Sequence, residues 1–178
     1  MKWVLRVVVG LVGLVAVVAL IGALFPREHV ATSTVTLRQP PDTVWKVVRD
    51  PGSVTASWSD IKQAERVNDP SGREVWRLTM KNGYQMPLVV EQAQAPSRMV
   101  TRIDSPPGAP FGGMWTYEIA PADAGKGSRV SVTERGWIAN PIFRFMARMI
   151  FGYYGTLDSY LKALGKKFGE DVKPVHES

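Results

Sequence analysis

The stretch whose reading decides the fold is "NPIFRFMARMIFGYYGTLDSYLKALGKKF", residues 140–168. Asn140 is a good N-cap, and Pro141 suits the first helical position, where a missing N–H costs little. Apolar side chains then recur at Ile142, Phe145, Met146, Met149, Ile150 and Tyr153, and again at Leu157, Tyr160, Leu161, Leu164 and Phe168. That is the spacing of one helical face. Arg144, Arg148, Asp158 and Lys162 fall between these positions, and Lys166 and Lys167 follow near the end, where cations suit the helix dipole. The charges interrupt any apolar run of membrane-spanning length. The spacing therefore predicts a long amphipathic helix, bent near Gly152 and Gly155. A helix with one apolar stripe needs a partner surface to cover it.

The residues upstream supply that surface. "EHVATSTVTLR" (28–38) alternates, with Ala31, Val35 and Leu37 on one face, and reads as a first strand. "QPPDTVWKVVRDP" opens on two prolines, carries Val44, Val47 and Val48 as one stripe, and stops at Asp50-Pro51, which predicts a short helix. Further β-like runs follow at 60–67, 74–82, 85–93, 98–104, 113–121 and 129–138, separated by turn-formers such as Asn82-Gly83 and Pro106-Pro107-Gly108. Short connections imply sequential antiparallel pairing. Pro87 inside the third of these runs predicts an edge or a bulge there. By parity, Trp76, Leu78 and Met80 share a face, as do Met86, Leu88 and Val90, then Trp115, Tyr117 and Ile119, then Val130 and Val132. These faces would line one concave surface.

The N-terminus is of another kind. Val7 to Phe25 is a run of 19 apolar or glycine residues. At about 1.5 Å per residue it spans roughly 28 Å, close to a hydrocarbon core of about 30 Å. It is longer than a signal-peptide apolar region, and the small-residue endings near it, such as Ile21-Gly22-Ala23, make a poor cleavage site. The reading is an uncleaved single-pass anchor through residues 4–25. Lys2 and Arg6 precede it and Arg27 and Arg38 follow, so the basic bias places the N-terminus in the cytoplasm and the domain on the other side. The expected organisation is an anchor at 1–27, a folded domain at 28–170 and a flexible tail at 171–178.

Composition excludes several functions. The chain has 178 residues, no cysteine and a net charge of +6. Disulfides, thiolate catalysis and cysteine zinc sites are out. The basic charge is spread without the dense lysine–arginine footprint of a nucleic-acid groove, and it suits anionic lipid head groups as well. No cluster of His and acidic residues has metal-ligand spacing, and no cofactor motif is present.

The order β-α-β-β-β-β-β-β-α, together with "VTLRQPPDTVWKVVRDPGSVTASW", "PFGGMWTYEIAP" and "VSVTERGWIANPIFRFMARMIFG", resembles the SRPBCC or START-like helix-grip superfamily over residues 29–169. That superfamily includes polyketide cyclase/dehydrase-like and lipid-transfer proteins. The resemblance implies an α+β fold: a curved antiparallel sheet of about six or seven strands gripping a long C-terminal helix, with an apolar tunnel between. It implies no particular reaction.

Three functional readings follow. The first is a membrane-anchored, non-catalytic binder of a lipid or other hydrophobic small molecule. Its cavity would draw on Trp58, Trp76, Leu78, Met80 and Leu88, on Trp115, Tyr117, Val132 and Glu134, and on Phe145, Met149, Tyr153 and Leu157 of the helix. The same aromatics would also serve an ordinary core. The second is a cyclase- or dehydrase-like enzyme using a cavity carboxylate, for which Glu134 has the right parity. Its alternative is a rim position paired with an arginine. His29 and His176 are expected to lie away from the cavity. The third is a protein-interaction module whose core is filled by its own side chains.

Overall fold

The computed structural model describes residues 2–177. Met1 and Ser178, at the ends of the expected anchor and tail, lie outside them. Helix α1, Lys2–Leu24, is apolar and exposed almost throughout, with Gly22 its one buried residue. It is the one helix among the described residues long and apolar enough to cross a membrane.

Strand β1, Glu28–Leu37, runs from there into helix α2, Pro41–Val48, and a 3-10 turn at Pro51–Val54. Strands β2 (Ile61–Val67), β3 (Val75–Met80), β4 (Gln85–Gln94), β5 (Arg98–Ile103), β6 (Phe111–Ala122) and β7 (Gly127–Ile138) then follow in meander. Their order in the sheet is β2-β3-β4-β5-β6-β7-β1, and an eighth strand, β8 (Val175–Glu177), adds to the outer edge of β1. Every neighbouring pair is antiparallel. The sheet is open and its concave face carries the core.

Alternation decides which side chains reach that face. Ala31, Val35 and Leu37 of β1 and Val130 and Val132 of β7 are almost fully buried, whereas Val30, one residue out of phase, is exposed. α2 contributes Val44 and Val48 to the same core. The bulge in β4 falls at Glu91, where Val90 and Gln92 pair with successive residues of β5. It does not fall at Pro87, which lies opposite Arg77 with its carbonyl accepting from the Asp104 N–H. A bulge bends its strand and increases the local twist, and a second irregularity in β2 beside Lys62 acts alike.

The C-terminal helical stretch is two helices. Asn140 caps α3, Pro141–Met146, its side chain accepting from the N–H groups of Ile142 and Phe143. A π turn, Ala147–Phe151, continues it. The chain then breaks at Gly152 (φ 71°, ψ 177°), a conformation open to glycine and strained for other residues. Helix α4, Gly155–Lys167, resumes on a new axis. Only α4 is gripped by the sheet: Leu157, Leu161 and Leu164 are fully buried. The bend expected near Gly152 and Gly155 is thus a full break: the one long helix becomes a gripped helix preceded by a segment that leans on α1 instead.

The C-terminal residues follow an irregular path before β8, and side chains hold them. Glu177 accepts from Thr34 and pairs with Arg129, and His176 bonds Asp158 at 2.9 Å while stacking on Tyr154.

Candidate functional site

A cavity of about 260 Å³ lies between the concave face of the sheet and α4. β3 lends Trp76, Leu78 and Met80, and β4 lends Met86, Leu88 and Val90, in both cases every second residue. β5 and β6 complete the sheet wall with Met99, Thr101, Trp115 and Tyr117. Trp58, from the loop after the 3-10 turn, and Tyr160, from α4, close it from the helix side. Their rings interlock with ring centres 5.1 Å apart, and Tyr160 also meets Tyr117 at 5.5 Å, both edge to face. Such contacts hold the rings in one arrangement.

The mouth can be located from exposure. Asp60, Tyr84 and Thr156 are the wall residues open to solvent. They stand at the start of β2, in the β3–β4 turn and at the start of α4. The strand registers place those positions at one end of the sheet, together with the start of β1, the start of β6 and the end of β7. Phe111, 5.9 Å from the Tyr84 ring, shares that rim.

Polar groups on the wall are few. Glu134 of β7 accepts from Trp115 Nε1 at 3.0 Å with one oxygen and meets His29 Nε2 at 3.2 Å with the other. As a carboxylate Glu134 can only accept, so His29 Nε2 carries the hydrogen. The His29 ring is nearly buried, stacked on Tyr153 at 4.2 Å. Burial pushes the Tyr117 phenol far above the ordinary tyrosine range, with a hydrogen bond to Thr101 opposing the shift and the charge of Glu134 adding to it. Burial raises Tyr160 in the same direction, with Tyr117 contributing. Both phenols therefore stay protonated and can donate. Trp58 Nε1 is buried with no partner among the described residues. An unpaired buried donor costs about 1–3 kcal/mol, so an acceptor on a bound molecule would relieve it.

At the opposite side, Arg49 forms a two-pronged pair with Glu74, which also accepts from Trp76 Nε1 at 3.0 Å. The Arg49 guanidinium holds the Glu74 carboxyl below its ordinary range despite some desolvation, with the Trp76 hydrogen bond helping. This pair ties the end of α2 to the sheet across the cavity edge.

The residues expected from the sequence divide cleanly. Trp76, Leu78, Met80, Leu88, Trp115 and Tyr117 come together on the wall, joined by Trp58 and Glu134. Val132 and Leu157 lie beneath it, fully buried in the core. Phe145 faces away and stacks on Phe25, Tyr153 stacks on His29, and Met149 is 61% exposed. The break at Gly152 explains the positions of Phe145 and Met149, because it carries residues 141–151 off the sheet, whereas Tyr153, beyond the break, packs at the edge of the core. The arginine partner expected for a rim Glu134 is replaced by His29, which does not itself line the cavity. Among wall residues outside the expected set, Met99, Thr101 and Tyr160 were readable: the first two share strand parity and the third lies on the stripe of Leu157. Arg49 and Pro51 had no such signal, since loop packing brings them in.

A wider depression of about 700 Å³ runs along β1 and the C-terminal segment. Arg38, Arg129, Glu170, Asp171 and Lys173 stand in its walls, which contain no aromatic ring. It offers an apolar molecule little. Among the described residues, no group of three or more His, Asp or Glu side chains could hold a metal ion.

A sheet wrapped on a helix over an apolar cavity, with these sequence features, defines a START-like helix-grip protein. Residues 28–166 match the polyketide cyclase/dehydrase and lipid transport family, and the chain belongs to it. Similar folds include the protein XoxI from Bacillus cereus, at 17% identity and TM-score 0.61, over 78% of this chain and 94% of that one. A Thermus thermophilus protein aligns at 19% identity and TM-score 0.62, over 78% of this chain and 96% of its own. A START superfamily protein from Mycobacterium smegmatis aligns at 18% identity and TM-score 0.58, over 76% and 94%. Among curated proteins, no sequence matches this chain.

Proposed function

We propose that the protein is a membrane-anchored binder and carrier of one compact hydrophobic molecule, or one lipid chain, with the domain on the non-cytoplasmic side. The observation that carries this reading is the cavity of about 260 Å³ walled by Trp, Tyr, Met and Leu. Ligand pockets run from about 300 to 1,000 Å³, so the space suits a small ring system or a single chain rather than a two-chain lipid. Transfer from water would gain about 25 cal/mol per Å² of apolar surface buried. The Trp58 N–H and the two protonated phenols favour a ligand with at least one acceptor oxygen. Anchoring through α1 would keep the domain beside its lipid source.

The enzyme reading is weaker on a specific ground. Both oxygens of Glu134 accept a hydrogen bond, from Trp115 of β6 and from His29 of β1, so its placement is accounted for as a tie between three strands without a catalytic role. Organic extraction of the purified full chain followed by mass spectrometry tests the binder. Leu78 is 1% exposed on the wall, so Leu78→Trp should fill the space and abolish co-purification while the fold, read by circular dichroism, persists. An extract empty of any stoichiometric apolar compound, and no uptake of fluorescent fatty acid by the protein, would refute it.

A further inference from the structure

We propose that the segment Phe143–Phe151 beds into the lipid leaflet from which α1 emerges, so that the cavity mouth opens directly onto the bilayer surface. The inference rests on the reading of α1 as a membrane anchor.

The segment carries an unusual load of uncovered apolar surface. Phe143 is 54% exposed, Met149 61%, Ile150 63% and Phe151 67%. In the folded domain such side chains would normally be covered. The sheet cannot cover them, because the break at Gly152 turns the segment away from it. α1, by contrast, touches the segment and fixes where it sits. A Cβ on Gly22 would lie 1.9 Å from the Pro141 carbonyl oxygen, so glycine alone lets the two backbones approach this closely. Phe25 and Phe145 stack at 6.5 Å, Arg144 Nη1 donates to the Phe25 carbonyl at 2.7 Å, and the Arg148 guanidinium stands 5.3 Å over the Phe25 ring.

Those contacts set a depth. The end of α1 is where a spanning helix leaves hydrocarbon for head groups. A segment bound to that end lies in the interfacial layer, where amphipathic helices bury an apolar face by roughly 5–10 Å. Its charge does not oppose this: residues 140–156 include no acidic residue, Arg144 is buried against the end of α1, and Arg148 alone is exposed to meet head groups. α1 is exposed along most of its length and covered only where Gly22 and Phe25 meet α3, so its apolar surface ends beside the patch. A lipid leaflet covers both surfaces at once.

The consequence concerns ligand exchange. The rim residues Tyr84, Phe111 and Thr156 are at the end of the sheet from which α1 and α3 depart. Thr156 follows Phe151 by a few residues through the Gly152 break. With the segment bedded, an apolar molecule passes from leaflet to cavity without crossing bulk water.

The chain has no cysteine, so single labels can be placed freely. Ile150→Cys and, at the far end of the sheet, Lys126→Cys each carry an environment-sensitive NBD dye. Both positions are exposed, and the full chain is reconstituted in phosphatidylcholine–phosphatidylglycerol vesicles. The expected result is emission shifted to shorter wavelength at position 150, and loss of that emission to quenchers on the upper acyl chain. The label at 126 should show neither. Water-like emission at 150, in protein that stays with the vesicles through an alkaline wash, overturns the proposal while leaving the anchor intact. Shifted emission that lipid quenchers do not reach means that another protein copy covers the patch, and also overturns it. Release of the protein by the wash defeats the anchor reading itself, and this proposal with it.

Discussion

α4 and the segment before it are neighbours in sequence and each carries apolar side chains at helical spacing, the segment more densely than α4, yet they meet different surroundings. In α4, Leu157, Leu161 and Leu164 are fully buried against β1 and β7. In the preceding segment, Met149, Ile150 and Phe151 are each more than 60% exposed. Helical periodicity reports that a stripe exists, and says nothing about what will cover it. The sheet covers the second stripe. The first is left to α1 and to whatever surrounds α1.

The contrast can be broken at several points. Alkali should act most strongly, and on the gripped half alone. Tyr160 of α4 and its neighbour Tyr117 have phenol pKa values raised by burial. In the unfolded chain they would ionise near about 10. Above that pH the unfolded state binds fewer protons than the folded state, so stability is intact below about 10 and falls as pH rises further. The tyrosinate absorbance of Tyr117 and Tyr160 should therefore appear only with loss of the fold. Appearance of all tyrosinates in protein that stays folded would contradict the burial of these rings.

Leu161→Ala should cost about 2–5 kcal/mol, because a cavity opens in a packed core. Chemical denaturation of the detergent-solubilised chain measures it. Gly152→Ala should cost about 1–3 kcal/mol, since alanine is strained at that φ and ψ. If it costs nothing, the break between the two helices is absent and the long continuous helix is restored. Ile150→Ala should change stability by no more than about 0.5 kcal/mol in detergent, despite removing a larger side chain than many core substitutions do. A cost like that of Leu161→Ala would show that the fold itself covers the segment.

Much of the cavity was legible because a strand has a period of two. Trp76, Leu78 and Met80 could be assigned to one wall from spacing alone, and so could Trp115 and Tyr117. The errors cluster in the helical stretch. Phe145 and Met149 fit the stripe as well as Leu157 does, and only the direction of the backbone after Gly152 separates them. His29 stays outside the cavity lining, as expected, but its contact with Glu134 had no local signal: it adjoins the apolar helix in sequence, and the β1–β7 register sets it opposite Gly136 and within reach of that carboxylate. β8 had no local signal, since its three residues are held by Thr34, Arg129, Asp158 and Tyr154 from distant elements.

The sequence by itself determined the apolar N-terminal helix, the short α2, the strands and the faces they present, because each follows from local spacing of apolar side chains and from turn-forming residues. Only the tertiary structure decided that the expected bend at Gly152 is a full break, which half is gripped, and that Glu134 meets a histidine. Those outcomes depend on strand register and on the angle of one glycine, and they join residues a hundred positions apart, which spacing along the chain does not encode.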